Sequence, residues 1–169
     1  MFESWARKAL QEGSDDPLTK GFFQWGCMAY AEMQGAAWPG SESAAQRAIG
    51  LAHWMIDVHR PLERRGNTGY AMEGVISAYA VAAAIGDRAA QAKFQELAEN
   101  VLARLVTWQI GHSRANAFLQ AHGAPDPQFV GGVLGAADDP RLRIDTTQHQ
   151  MHAVILARRY LYPVPAKRP

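Results

Sequence analysis

Apolar positions recur along this chain every three or four residues, and polar punctuation cuts that rhythm into pieces of helical length. Asp15-Asp16-Pro17, Trp38-Pro39-Gly40-Ser41, Arg65-Gly66-Asn67 and Gly86-Asp87 each interrupt it. A longer interruption, rich in Gly, Pro and Asp, runs over about residues 111–144. Between the breaks the spacing predicts helices at about residues 2–12, 18–33, 42–58, 69–85, 87–109 and 146–160, and no convincing strand. Ser41 is the natural cap of the third helix and Asp145 that of the sixth. A short extra helix is expected near residues 113–121.

The helices differ in kind. The fifth carries Phe94, Leu97, Val101, Leu105 and Trp108 on one stripe, with Lys93, Glu96, Glu99 and Arg104 off it, so one side should face water. The fourth has no charge after Glu73, and Val75, Ile76, Tyr79, Val81 and Ile85 go round it, which suits burial on most sides. The second, with Phe22, Trp25, Ala29 and Met33, is similar. This alternation predicts an all-α fold of antiparallel helical hairpins in two layers, the even-numbered helices inside. Residues 1–162 are expected to form one domain, and the Pro-rich residues 163–169 a loose tail.

A short internal repeat accompanies the pattern. Arg65-Gly66-Asn67-Thr68 leads into Met72-Glu73-Gly74-Val75-Ile76, and Arg143-Ile144-Asp145-Thr146 leads into Met151-His152-Ala153-Val154-Ile155. With Gly86-Asp87 closing the fourth helix, and Gly131-Gly132-Val133 ahead of Thr147-Gln148-His149, these segments resemble the α/α-toroid superfamily. That superfamily holds six-hairpin glycosidases, polysaccharide lyases and sugar epimerases. The resemblance covers about residues 42–160. It implies inner helices around a funnel, with the chemistry carried by loops at one mouth. Three hairpins make an incomplete array, an arc of such a ring.

Composition narrows the function classes. The chain has 169 residues, 48% of them hydrophobic, enough for a packed core. A formal net charge of +1 gives no basic field for nucleic acid. No apolar run reaches membrane-spanning length, and the start shows no signal-peptide pattern, so a cytoplasmic protein without membrane partners is expected. The single cysteine, Cys27, sits in an apolar segment and reads as a buried small hydrophobe. No cofactor is implied.

Four constellations could carry chemistry. Tyr70 and Glu73 lie one turn apart, and Glu73 is the one acid of an apolar helix, so burial would tune it for proton transfer. The alternative is a Glu that serves the helix start with Asn67 or Thr68. Asp145, Gln148, His149 and His152 form a second set, with the histidines three apart on one face. They suit a polar site wall, or plain satisfied histidines; without a His-Glu-x-x-His or cysteine pattern no metal is predicted. Arg60, Arg64 and Arg65 precede the fourth helix and Arg141 and Arg143 the sixth, and guanidinium forks grip carboxylates. Ordinary solvated turns with local ion pairs would give the same sequence. Trp25, Trp54 and Trp108 fall at core spacing, leaving Trp38 as the exposed tryptophan. The Gly131-Gly132 loop reads as a flexible flap.

These residues lead to one favoured expectation and two alternatives. The favoured one is a carbohydrate-active domain that binds or processes an acidic glycan by acid–base chemistry, as a glycoside hydrolase, lyase or epimerase would. Glu73 and His149 would move protons, Arg65 and Arg143 would hold the acidic sugar, and Tyr70, Asp145, Gln148 and His152 would position it. The first alternative is a non-catalytic helical module that binds another protein or another part of its own chain through an apolar face left by the missing hairpins, with a protein partner or a homo-oligomer as the partner expected. The second is a small-molecule binder with a cavity lined by Phe22, Met72 and Tyr79.

Overall fold

The computed structural model describes Lys8, residues 24–28, Ala31 and residues 41–163. The helix expected at residues 2–12 lies almost wholly outside this set. Of the one expected at 18–33, residues 24–28 and 31 are described and are helical. Pro163 is the last described residue, so residues 164–169 of the expected tail also fall outside.

The described fold is mainly α. Helix α1 (Ser41–Trp54) runs into a π-helical turn at Met55–His59, which stops where Arg60 turns left-handed, at φ 52°. A 3-10 turn, Pro61–Glu63, follows. Helix α2 (Gly69–Ile85) ends at Gly86, whose φ of 78° needs a residue without Cβ and whose N–H closes on Ala82 and Ala83. Helix α3 (Arg88–Val106) starts at Asp87, whose carboxylate accepts from the Ala90 N–H. Helix α4 is short (Ala117–Ala121) and capped by Asn116. Strands β1 (Leu134–Ala136) and β2 (Asp139–Leu142) pair antiparallel, and helix α5 (Ile144–Tyr160) closes the described chain.

Helix α2 is the hub. Met72, Val75, Ile76 and Val81 are fully buried against Phe94, Val101 and Leu105 of α3, Ala153 and Leu156 of α5, and Ala48 and Ala52 of α1. Each large apolar side chain so placed contributes about 1.5–3 kcal/mol. Met72, expected at one alternative's cavity, lies in this core, Tyr79 packs at its edge, and Phe22 is outside the described residues.

Helices α2 and α5 run in the same direction. Asn67 and Gly69 meet Gln150 near the start of both, and Tyr79 is within electrostatic reach of Tyr162 at the far ends. The approach is tight at Gly69: a Cβ there would stand 2.9 Å from the Gln150 backbone nitrogen and 3.0 Å from its Cα. Asn67 seals the join. Its Oδ1 accepts from the Gly69 N–H, and its Nδ2 donates to the Leu134 carbonyl and to Gln150 Oε1.

Several expectations change. The long polar stretch contains a small β-hairpin, because residues 134–142 pair across a turn although they lack alternation. The Gly131-Gly132 segment is tied by backbone bonds to the chain just after α3. The Ile110 N–H donates to the Gly132 carbonyl, the Gly131 N–H to the Ile110 carbonyl, and the Leu134 N–H to the Trp108 carbonyl. Helix α5 begins at Ile144, so Asp145 sits in its first turn and is not its cap. Nor is α5 an inner helix on all sides, since Ile144, Met151, Val154 and Ile155 are exposed. Arg104 does not point into water. It donates to the carbonyls of Pro61, Leu62 and Arg64 and to Thr68 Oγ1, and holds the 61–68 loop to α3.

Gly69→Ala should lower stability by about 1–3 kcal/mol, because the clash is with backbone that has no rotamer to change. Urea unfolding monitored by circular dichroism checks this. A variant as stable as wild type would show that the two helices part without cost.

Candidate functional site

One turn beyond the Gly69–Gln150 contact, the same faces of α2 and α5 bring Glu73 to the histidines. Glu73 is 1% exposed. His149 Nδ1 lies 2.8 Å from Glu73 Oε1 and donates to it, and His152 Nδ1 stands 3.6 Å from the same oxygen, at ion-pair distance. Glu73 Oε2 is buried without a hydrogen-bond partner. Burial pushes the Glu73 carboxyl above its ordinary value, while the His149 hydrogen bond and the charges of His149 and His152 pull it back. Both imidazoles face Oε1, and neither reaches Oε2. Glu73 therefore serves neither as a helix cap nor as a partner of Asn67 or Thr68.

With Nδ1 committed to Glu73, Nε2 is the ring nitrogen of His149 with no partner among the described residues, and the ring is about three-tenths exposed. A carboxylate behind one imidazole nitrogen fixes the tautomer and leaves the other nitrogen to exchange a proton.

A second pair lies beside the first. The Tyr70 ring meets His149 edge-on, with centroids 6.5 Å apart, and the Tyr70 hydroxyl is 2.5 Å from His59 Nε2. The His59 ring stacks on Trp54. His59 closes the π-helical turn and abuts left-handed Arg60, and such rare backbone tends to gather where a side chain must be aimed. Burial pushes the Tyr70 phenol up, with Arg64 acting the other way. Burial, then Arg64, pushes the His59 imidazole down. At the opposite edge Trp25 stands 6.3 Å from His152, ring to ring, and is 41% exposed. Trp54, His59, Tyr70, His149, Glu73, His152 and Trp25 thus form one continuous run.

The other expected site residues lie elsewhere. Arg65 is 86% exposed and paired with Asp138 at 2.8 Å, in the hairpin turn. Arg143 is paired with Asp145 at 2.7 Å, and its hydrogen bond holds that carboxyl below the usual range. Both arginines do border the hairpin, since Asn67 N–H bonds the Gly135 carbonyl and the Arg143 stem lies alongside Gly135. Their guanidinium groups, however, are engaged with carboxylates of the chain itself. Gln148 lines a shallow apolar groove with Leu142, Ile144 and Met151, around the helix from Glu73. Trp108 is core, as its spacing predicts, and Trp38 lies outside the described residues. Among the described residues no trio of His, Cys, Asp or Glu is arranged to hold a metal ion. Cys27 is fully buried, and burial pushes its thiol up, away from the reactive thiolate. No described helix is long and apolar enough to cross a membrane.

No protein-family model, curated protein or solved structure matches the chain.

Two residues of the run, His59 and Trp25, escaped the reading of the sequence, and Arg64 beside it was read there only as one arginine of a group. His59 ends a helical segment where nothing marks it as special. Trp25 falls at core spacing yet borders His152. Arg64 stands among four other arginines, and only the fold separates them.

Glu73→Gln leaves an amide oxygen for the His149 Nδ1–H. A carboxyl whose folded pKa lies above its ordinary 4.5 binds its proton more tightly in the folded chain, so its contribution to stability is lost as pH rises from 4.5 through the folded value. Glu73→Gln should therefore gain stability relative to wild type across that window and hold a constant difference above it. Urea unfolding at a series of pH values checks this. A difference that moves the other way would mean that the imidazoles more than offset burial.

Proposed function

We propose that this chain is a carbohydrate-active domain of α/α-toroid type, an arc of hairpins that processes a glycan by proton transfer. The observation that carries the reading is the 2.8 Å bond between the buried Glu73 and the partly exposed His149, from two parallel helices 76 residues apart in sequence. Both helices open with the repeated basic–x–Asx–Thr segment, at the same end of the fold, as inner helices of such an arc would.

In this reading His149 takes and returns a proton through Nε2. Glu73 acts through it, orienting the ring and stabilising the imidazolium. Tyr70, tied to His59, is the second proton-bearing group beside the substrate, and Trp25 and Trp54 offer ring faces for a sugar. Hydrolysis of a glycosidic bond usually needs two carboxyl groups across the scissile bond. Among the described residues Glu73 stands alone: Asp145 is paired with Arg143, Glu63 with Arg60 and Asp57 with Lys93. Proton transfer at carbon, as in a lyase or epimerase, fits this set better than hydrolysis.

A panel of neutral and acidic oligosaccharides, assayed for reducing ends, ultraviolet-absorbing unsaturated products and epimerised sugar, tests the reading. His149→Ala should cut turnover about 10²–10⁴-fold, and Glu73→Gln by a large fraction of that. Arg65→Gln and Arg143→Gln should leave it close to wild type. A cooperatively folded chain that turns over no member of the panel would sink the proposal.

A second reading rests on α5. Leu142, Ile144 (89% exposed), Met151 and Ile155 make an apolar stripe open to solvent, the mark of an interaction module. A second copy of the chain would bury this stripe against its own. Sedimentation over a concentration series should then show a dimer that Met151→Lys with Ile155→Lys abolishes without lowering the melting temperature. A wild-type chain that stays monomeric throughout would exclude it.

A further inference from the structure

Six arginines surround the loops that lead into α2 and α5 or brace them, and five of them are occupied, Arg141 by Asp139 at 2.6 Å. Arg65 is held by Asp138 and Arg143 by Asp145. Arg60 reaches Glu63 and the Asp57 carbonyl. Arg104 is spent on the carbonyls of the 61–68 loop. Arg64 differs. Its Nε donates to the His59 carbonyl at 2.9 Å, and its two terminal nitrogens have no partner among the described residues.

That bond ties the exposed Arg64 to the His59 backbone; the His59 ring in turn holds the Tyr70 hydroxyl, and Tyr70 lies edge-on to His149. Arg64 is also the charge that both Tyr70 and His59 feel. Three links thus join an uncommitted guanidinium fork to the Glu73–His149 pair. A planar fork with two free nitrogens is shaped for a carboxylate, which takes two parallel N–H bonds.

We infer that Arg64, and neither Arg65 nor Arg143, is the specificity-determining residue of the site, and that it selects a glycan bearing carboxylates, a uronic-acid oligosaccharide. This rests on the glycan reading above. The fork receives the sugar carboxylate at the Tyr70–His59 edge, and the ring carrying that carboxylate lies toward His149. A carboxylate neutralised by a cation also makes the neighbouring C–H easier to deprotonate, so the same contact serves binding and proton transfer.

The experiment compares binding of uronic-acid oligosaccharides with binding of their methyl esters, which keep the sugar and lose the charge. Calorimetry with wild type should show the acid forms bound more tightly. Arg64→Gln should erase that preference, about tenfold or more, and leave ester binding unchanged. Arg65→Gln and Arg143→Gln should keep it. Should Arg64→Gln melt lower than wild type, Arg64→Lys, which retains the charge and loses the fork, replaces it and should still lose most of the preference. Equal binding of acid and ester by wild type overturns the assignment and leaves the glycan reading standing. So does a preference that survives at Arg64 or vanishes at Arg65 or Arg143. Binding of neither form by the folded chain removes the glycan reading, and this inference with it.

Discussion

The near-contact of two backbones at Gly69 and Gln150 governs most of this structure. Only a residue without Cβ lets α2 and α5 approach so closely, and Asn67 fills the remaining space with an amide that satisfies one N–H and two oxygens at once. A buried amide with all these bonds made is specific as well as stable, because any other register would leave polar groups unpaired. One turn further along, that register places a carboxyl opposite two imidazoles. The geometry of the Glu73–His149 pair is thus inherited from a contact that is itself purely structural.

Around that seam, charge is managed by enclosure. Glu73 would be costly to bury alone, and the two histidines offset part of the cost. Arg104 works from the other side. With its guanidinium half-buried on Trp108, it collects three loop carbonyls and the Thr68 hydroxyl, and so ties the irregular chain between α1 and α2 to α3. This loop delivers His59, Arg64 and Asn67 to their places, and a single side chain from α3 sets its course.

The mainly helical fold was legible from the spacing of apolar residues, and α2 and α3 lie within a few residues of where that spacing puts them. So was the oddity of Glu73, one acid in an apolar helix, and the shared face of His149 and His152. The sequence could not show that these two features meet, since 76 residues separate them and no local signal encodes that distance. The arginines were harder still. Arg64, Arg65 and Arg143 have the same chemistry, and which one is free depends on where Asp138 and Asp145 fall after folding. The hairpin at 134–142 was missed because its strands are too short to alternate, and the exposure of Trp25 because helical spacing says which side chains share a face but not what covers it. The α/α-toroid likeness and the glycan chemistry remain readings that these residues suggest.

The separation between Glu73 and His149 has a consequence for the life of the chain before it is folded. The hairpin of α2 and α3 is built from neighbours in sequence and can form early. Helix α5 must return across the irregular stretch from residue 107 to 143 before it docks, which is a slow closure by comparison. Until then Glu73 has no imidazole beside it, and the early hairpin carries an unpaired acid on the surface that will become its core.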